Sequence, residues 1–388
     1  MKIAFVVHDY RRREGHSRYV VELATRFAKN HEVHVFANEI EPEGSEHIQF
    51  HHVPAFRKTA LASILSFLAM ATFRVRGEWD IIHNQGLCGW RGNVYTAHIC
   101  NRAWHRALRS TLGRLTVREW VSGITLSNLE HAFYRWAKKC HVIAVSHRIE
   151  DDIRRCYHSR LPISVIPHGV DLKAFHPAAE SDERHQVRAA TGIEEGDFAF
   201  LFVGDMRKGG RQCIQALVKV PAAKLIFVSR SAPGPYRLLA AERGVEERVR
   251  FLDANPHIEK YYAAADALLL PTHYDSFGMV VTEAMASGLP VIVSREAGAS
   301  ELIDPGRNGL LLEDFKDVEE LSGKMRLLSE DRNLVRQLGA AARRTTEAYS
   351  WDEIAKRTMQ VYEQVLSQCL RANMGARPVR STSIDVGS

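Results

Sequence analysis

Asp275 and Glu283 stand eight positions apart in "THYDSFGMVVTEAMASGLPVIVS", residues 272–294, with Phe277, Gly278 and an apolar run between them. A strand–helix unit that served packing alone would require an acid at neither place. "DALLLPT", just before the loop, has the continuous apolar run of a strand buried on both faces. "MVVTEAMAS", just after it, reads as a helix stopped by Gly288 and Pro290. The helix N-terminus then lies at the carboxyl end of a strand. There the N–H groups from Phe277 through Gly278 and Met279 to Val280, with the helix dipole, favour an anion. Gly278 lacks a Cβ, so a ligand can approach the backbone closely. Glu283, one turn into the helix, offers acceptor oxygens for vicinal hydroxyls. An anion site beside a hydroxyl site describes a pocket for a nucleotide sugar. The plainer alternative is a capped helix with Glu283 in solvent.

A second motif carries the opposite charge. In "VGDMRKGG", residues 203–210, Arg207 and Lys208 follow the apolar run "FAFLFVG" and open the next helix. Cations at that place can face phosphate oxygens, or they can simply be solvated on a helix end.

These residues need a scaffold, and the chain repeats one. It has 388 residues, enough for two domains. With 45% hydrophobic and 25% charged residues it is a globular chain, not a disordered one. The net charge of +6 favours acidic ligands or an anionic surface. Six cysteines without a CxxC read as reduced thiols in a cytosolic protein. The opening "MKIAFVVHDYRRREG" is a strand and a charged loop, unlike a signal peptide, and no apolar run is long enough to span a membrane.

Before residue 170 the runs "KIAFVV", "HEVHVFA", "WDIIHN", "NVYTAH", "HVIAVS" and "ISVIPHG" read as strands separated by helices. Residues 171–197 break the pattern with polar residues and Pro177, as a linker with a short helix inside. A second series follows in 198–349: "FAFLFVG", "KLIFVS", "RVRFLD", "ALLLPT", "LPVIVS" and "GLLLED". The fold class is therefore α/β, with two Rossmann-like, doubly wound domains. Residues 350–370 are helical, and 371–388 have few apolar residues, as in a disordered tail.

Three segments together resemble the family 4 glycosyltransferases. "DSFGMVVTEAMASGLPVIVS" is similar to their E-x7-E segment, "IPHGVD" (166–171) to the end of their first domain, and "VGDMRKGG" to the glycine-rich loop that opens their second. The resemblance spans residues 1–370 and implies a GT-B fold, two domains facing across a cleft. The acceptor side would be 1–170 and the nucleotide-sugar side 198–349, with the last helix returning to the first domain. It further implies transfer of a hexose with retention of anomeric configuration, a nucleotide-sugar donor as substrate, no cofactor and no metal. A D-x-D metal motif is absent from the sequence, so cations and helix ends must meet the charge on the departing diphosphate.

The family's residues carry over one by one. Lys208 matches the family lysine, whereas Asp205 stands where its arginine is usual and Arg207 is the substitute. Asp275 stands for the usual glutamate facing the sugar, and Glu283 for the one on the ribose. Gly15 matches one glycine of the loop after the first strand; His16 stands where a second is common. His98, ending "NVYTAH", matches the histidine or aspartate beside the transferred sugar, and His168 in "IPHGVD" orders the interdomain turn. Loops near 229–236 and 253–257 would border the base, with UDP ranked ahead of GDP.

The acceptor has its own signal. Residues 102–139 hold eight Arg/Lys against Glu119 and Glu130, with Trp104, Trp120 and Trp136 interleaved. Upstream, 59–73 is mostly apolar between basic ends. Both could lie peripherally on the inner face of an anionic membrane, or pack on their own sheet. The expected acceptor is a lipid-linked or cell-envelope glycan, as in lipopolysaccharide biosynthesis. Two alternatives remain: a nucleotide-sugar 2-epimerase of the same fold, and an inactive sugar-nucleotide-binding protein.

Overall fold

The computed structural model describes residues 1–12, 15–42, 44, 46–113, 115–137, 139–178, 182–255 and 257–375. Strands β1 (Lys2–Val6), β2 (Asp9–Tyr10), β3 (Glu32–Ala37), β4 (Glu39–Ile40), β5 (Ile48–His52), β6 (Ile81–Gln85), β7 (Val94–Ala97), β8 (His141–Ala144) and β9 (Ile163–Val165) come first. Seven of them form a parallel sheet in the order β5-β3-β1-β6-β7-β8-β9. Strands β10 (Phe198–Val203), β11 (Ala223–Ser229), β12 (Val249–Asp253), β13 (Ala267–Leu270), β14 (Val291–Ser294) and β15 (Leu310–Leu312) follow. They make a second parallel sheet in the order β12-β11-β10-β13-β14-β15.

The strand order explains where a ligand can sit. Each sheet grows from its first strand in both directions, β1 between β3 and β6, β10 between β11 and β13. Loops leaving the carboxyl ends of such neighbouring strands diverge and open a crevice. Gly15 opens the helix that follows β1 and β2, and the segments after β7, β10 and β13 carry His98, Lys208 and Asp275 respectively.

Buried apolar strands such as β10, with all six residues buried, match the continuous runs in the sequence. β5, "IQFHH", has only Ile48 fully buried, as an edge strand does, and its polar pattern hid it from the sequence reading. The two-residue pair β2–β4 was too short to signal itself.

The linker and the terminal helix differ from expectation in detail. The helix Asp182–Thr191 lies inside 171–197 but packs on the second domain, where Arg184 and Arg188 reach Asp266 at 2.7 and 3.3 Å. The last helix, Trp351–Gly375, runs five residues into the segment expected to be a disordered tail; 376–388 lie outside the described residues. Its apolar face enters the first domain's core through Trp351, Ile354, Val361 and Tyr362. The chain crosses between domains twice, and the crossings lie side by side: Val170 N–H donates to Tyr349 O at 2.9 Å.

The domains also touch across the cleft. Ser146 Oγ donates to Ser276 O at 2.7 Å, and Glu301 accepts the N–H groups of His147 and Arg148 at 3.0 and 2.8 Å. Those are orphan donors of the helix His147–Tyr157, capped here by a side chain from the other domain. Gly298 is required at this seam, since a Cβ there would lie 2.2 Å from Ser276 O and 2.7 Å from Ser146 Oγ.

Candidate active site

On the second-domain side, Met206–Lys208 form a single tight turn between β10 and the helix Gly210–Leu217, so Arg207 and Lys208 precede that helix instead of opening it. Lys208 Nζ lies 2.7 Å from Asp275 Oδ2. Asp275 is held from its backbone: its N–H donates to Glu296 O at 3.0 Å and its carbonyl accepts from Gly298 at 2.9 Å. Arg207 instead makes a two-pronged contact with Asp205, Nε and Nη2 to Oδ2 at 2.9 and 2.7 Å. Burial alone would raise Asp205, but the Arg207 bonds outweigh it and hold its carboxyl low; Arg207 is raised in turn.

The turn that the sequence reading expected to hold an anion differs from that reading in one respect. Gly278 adopts φ +92°, a left-handed conformation glycine tolerates, and begins the helix Met279–Ala286 without a capping side chain. The first-turn N–H groups at Met279 and Val280 therefore point from an uncapped end. Phe277 N–H, by contrast, is directed to Asp275 Oδ1 at 3.4 Å, and the Phe277 ring is buried. Gly15, at the N-terminus of the helix Gly15–Phe27, faces this turn; a Cβ there would come within 3.7 Å of Met279 Sδ.

The first domain contributes a histidine cluster. His98 stacks on His168 at 5.2 Å between ring centres, and His16 lies 5.8 Å from His98. Burial, then the neighbouring imidazoles, holds His98 well below the usual histidine range, and His168 is brought down to about 3. Both rings are neutral at physiological pH. His98 Nε2 meets Gln85 Oε1 at 2.8 Å, which assigns the proton to Nε2 and leaves Nδ1 an acceptor. Nδ1 has no protein partner, nor has His168 Nδ1. A neutral acceptor at this place can take a hydrogen bond from a sugar hydroxyl; it cannot serve as an acid.

Glu283 is buried and not in solvent. Its two oxygens accept from Arg18 Nη1 at 3.0 Å and Tyr262 OH at 2.8 Å. Burial raises its carboxyl, and Arg18 offsets part of the rise. Each oxygen keeps a further lone pair, enough for a diol.

Two family profiles match this chain: the one described as glycosyl transferases group 1 covers residues 183–345, and glycosyltransferase family 4 covers 13–174. The chain belongs to the family 4 glycosyltransferases. Among relatives, a D-inositol 3-phosphate glycosyltransferase of Xylanimonas cellulosilytica is 28% identical over 403 residues, covering 90% of this chain and 91% of its own. The solved structure of WaaG, a glycosyltransferase involved in lipopolysaccharide biosynthesis, superposes with a TM-score of 0.75 at 22% identity, over 93% of this chain and 99% of that one. The Anabaena protein HepE, solved with UDP and glucose, gives 0.72 at 19%, over 94% and 100%. These two likenesses establish the GT-B fold.

Within this family 4 glycosyltransferase the structure sets Gly15 against the turn at Gly278 and Met279, and His98 stands behind His168, whose ring meets Phe277 at 5.4 Å. Arg18 escaped the sequence reading, because one arginine in "GHSRYVVELA" carries no local signal. It spans the cleft, on the first domain's opening helix but bonded to Glu283 and set over the Phe175 ring at 5.7 Å. Removing one partner of so buried a pair leaves the other charge uncompensated, a cost of about 3–5 kcal/mol. The domains can relieve it by opening to water. Arg18→Ala should therefore enlarge the radius of gyration in small-angle scattering and raise the donor KM about tenfold or more. An unchanged scattering profile and KM would show that Arg18 does not tie the domains.

Proposed function

We propose that this glycosyltransferase moves a hexose, with retention and without a metal, from a nucleotide sugar to a lipid-linked or cell-envelope glycan, and that UDP precedes GDP as the donor's nucleotide. The observation that carries the reading is the Lys208–Asp275 contact at 2.7 Å, beside the uncapped helix end that begins at Gly278. Lys208 and that helix end meet the negative charge developing on the diphosphate, and Arg207 joins them by giving up its contact with Asp205. Asp275 orients a hydroxyl of the sugar and favours positive charge at the anomeric carbon. His98 Nδ1 accepts from a second hydroxyl, and Glu283 takes the ribose diol. The UDP and glucose held by HepE support the donor ranking. A thermal-shift series over UDP- and GDP-hexoses tests it. At 100 times its Kd a ligand stabilises by about 2.7 kcal/mol, so the true donor should give the largest shift. Equal, negligible shifts from every nucleotide sugar would sink the donor reading.

A membrane-borne acceptor is supported by an exposed apolar face. The helix Val117–Trp136 leaves Val117, Trp120, Val121 and Ile124 exposed by 80, 52, 41 and 37%. Their spacing puts them on one side of the helix. Arg118, on the same turn, and Arg109 and Arg135, further off in the segment, are exposed, whereas Arg114 and Lys138 lie outside the described residues. Trp104 turns inward instead and stacks on His273 at 5.8 Å. Among the described residues no helix is long and apolar enough to cross a membrane. The protein should sediment with anionic liposomes at low salt, lose that binding at high salt, and ignore neutral liposomes. Binding to neither would leave the acceptor soluble.

A further inference from the structure

The seam between the domains encloses a cavity of about 320 Å³ that none of the residues assigned to the transfer chemistry lines. One wall comes from the helices Asn101–Leu112 and His147–Tyr157 of the first domain, the other from His273, Tyr274, Glu296 and Phe315 of the second. A water's share of liquid is about 30 Å³, so the space takes roughly ten waters or one small metabolite.

Its charge is uneven. Arg106, Arg148 and Arg155 stand on the wall against Asp152 and Glu296. Both carboxylates are answered within the wall. Arg148 Nη2 lies 2.6 Å from Glu296 Oε2, and Asp152 takes Arg155 Nη2 at 3.4 Å and Tyr274 OH at 3.2 Å. Arg106 is the cation left over: among the described residues its guanidinium donates only to a thiol, Nη1 to Cys156 Sγ at 3.7 Å. Two wall residues also hold buried nitrogens with no protein partner. One is Arg148 Nε, on a guanidinium that lies over the Tyr274 ring at 4.8 Å; the other is His273 Nε2. His273 is only 6% exposed, and Trp104 and Phe315 flank its ring at 5.8 and 6.2 Å. Buried polar atoms without a partner are costly, and two of them beside a surplus cation suit a ligand that brings anionic oxygens.

We propose that this cavity binds a small oxyanion, the phosphate or carboxylate of a metabolite, as an effector that holds the two domains together. The anion accepts from Arg106 and from Arg148 Nε by charge-assisted bonds, and from His273 Nε2. Burial, then Lys208 and Arg207, hold His273 below the usual histidine range, so it joins as a neutral ring with the proton on Nε2. Because the ligand bonds residues of both domains, it favours the arrangement in which they meet. Helix His147–Tyr157 carries the docking contacts to Ser276 and Glu301, and His273 and Tyr274 run directly into Asp275. What steadies the seam therefore steadies the loop that faces the donor. Such coupling is reciprocal and typically about 5–150-fold, so effector and nucleotide should each tighten the other.

Calorimetry on the intact protein tests this, with inorganic phosphate, glucose 6-phosphate, glucuronate and glucose as probes. At least one of the three anions should bind and glucose should not; comparison of glucose 6-phosphate with glucuronate tells which oxyanion is preferred. Arg106→Ser should weaken the anion about tenfold or more, the scale of a lost bond to a charged group. Arg106 is exposed, so the variant should fold. His273→Phe, which keeps a ring against Trp104, should weaken it severalfold. Lys208→Ala should leave it bound, since the diphosphate place is a different one. Binding by none of the anions, binding that survives both Arg106→Ser and His273→Phe, or binding lost in Lys208→Ala overturns the site. A saturating anion should also raise UDP affinity about fivefold or more in the wild type and not in Arg106→Ser. An anion seated in the cavity with UDP affinity unchanged overturns the effector role, and so does a probe that is itself glycosylated when donor is added. That coupling rests on the function proposed above, whereas the calorimetry of the anion alone does not, so the two failures are distinguishable.

Discussion

Alanine at Lys208 is expected to lower kcat/KM by about 10²-fold while the protein stays folded. The ammonium serves two partners, Asp275 at 2.7 Å in this structure and the donor diphosphate in the proposed complex. A hydrogen bond to a charged group contributes about 1.5–3 kcal/mol, and every 1.4 kcal/mol is tenfold. The second partner adds to the loss. Asp275 has a side chain only 14% exposed, and it would keep one weak bond, from Phe277 N–H at 3.4 Å. Donor binding and turnover should both suffer, since the phosphate charge is present in the ground state and grows in the transition state. Lys208→Arg should recover part of the activity, because it keeps the charge. Initial rates over a range of donor concentrations decide the matter, and near-normal kinetics in a folded Lys208→Ala protein would remove the residue from the site.

Asparagine at Asp275 should lower kcat by about 10²–10³-fold, the scale on which pre-set electrostatic groups act. KM should change far less, because the charge it stabilises develops only in the transition state. The substitution suits the test. Asparagine keeps the shape, and the backbone bonds to Glu296 and Gly298 hold the loop whatever the side chain. It also releases Lys208 from its counter-charge, so donor affinity should hold or improve while turnover falls. Asp275→Glu should retain much of the activity, since it keeps the carboxylate. The two sites touch, so Lys208→Ala with Asp275→Asn should cost less than the sum of the single changes. Normal turnover by Asp275→Asn beside a crippled Lys208→Ala would mean that Asp275 is only a loop residue.

Much of the architecture was legible because its signal is local. Parallel strands buried on both faces leave continuous apolar runs, and the six second-domain runs all became strands. The helix start after Gly278 was legible for the same reason, a strand, a short loop and a helix following within 20 residues, whereas its left-handed conformation was seen only in the structure. Edge strand β5 was not, since an edge exposes half its residues and its polar side chains look like a loop. The tail was misjudged over 371–375 because helix, once begun, extends past its last apolar contact with little further cost.

The sequence by itself determined the two-domain α/β plan, the family, and which loops leave the carboxyl ends of the strands. Those follow from periodicity and from motifs a few residues long. Only the tertiary structure decided how the charges pair. Arg207, read as a phosphate ligand, is gripped by Asp205 two residues away, whereas Lys208 reaches 67 residues along the chain to Asp275. Arg18 and Glu283 are 265 residues apart. No local pattern encodes such partners. Lys208 and Asp275 meet where two loops of one sheet converge, Arg18 and Glu283 where the two domains face each other, and the burial that comes with convergence makes the carboxylate of Glu283 and the neutral imidazole of His98 what they are.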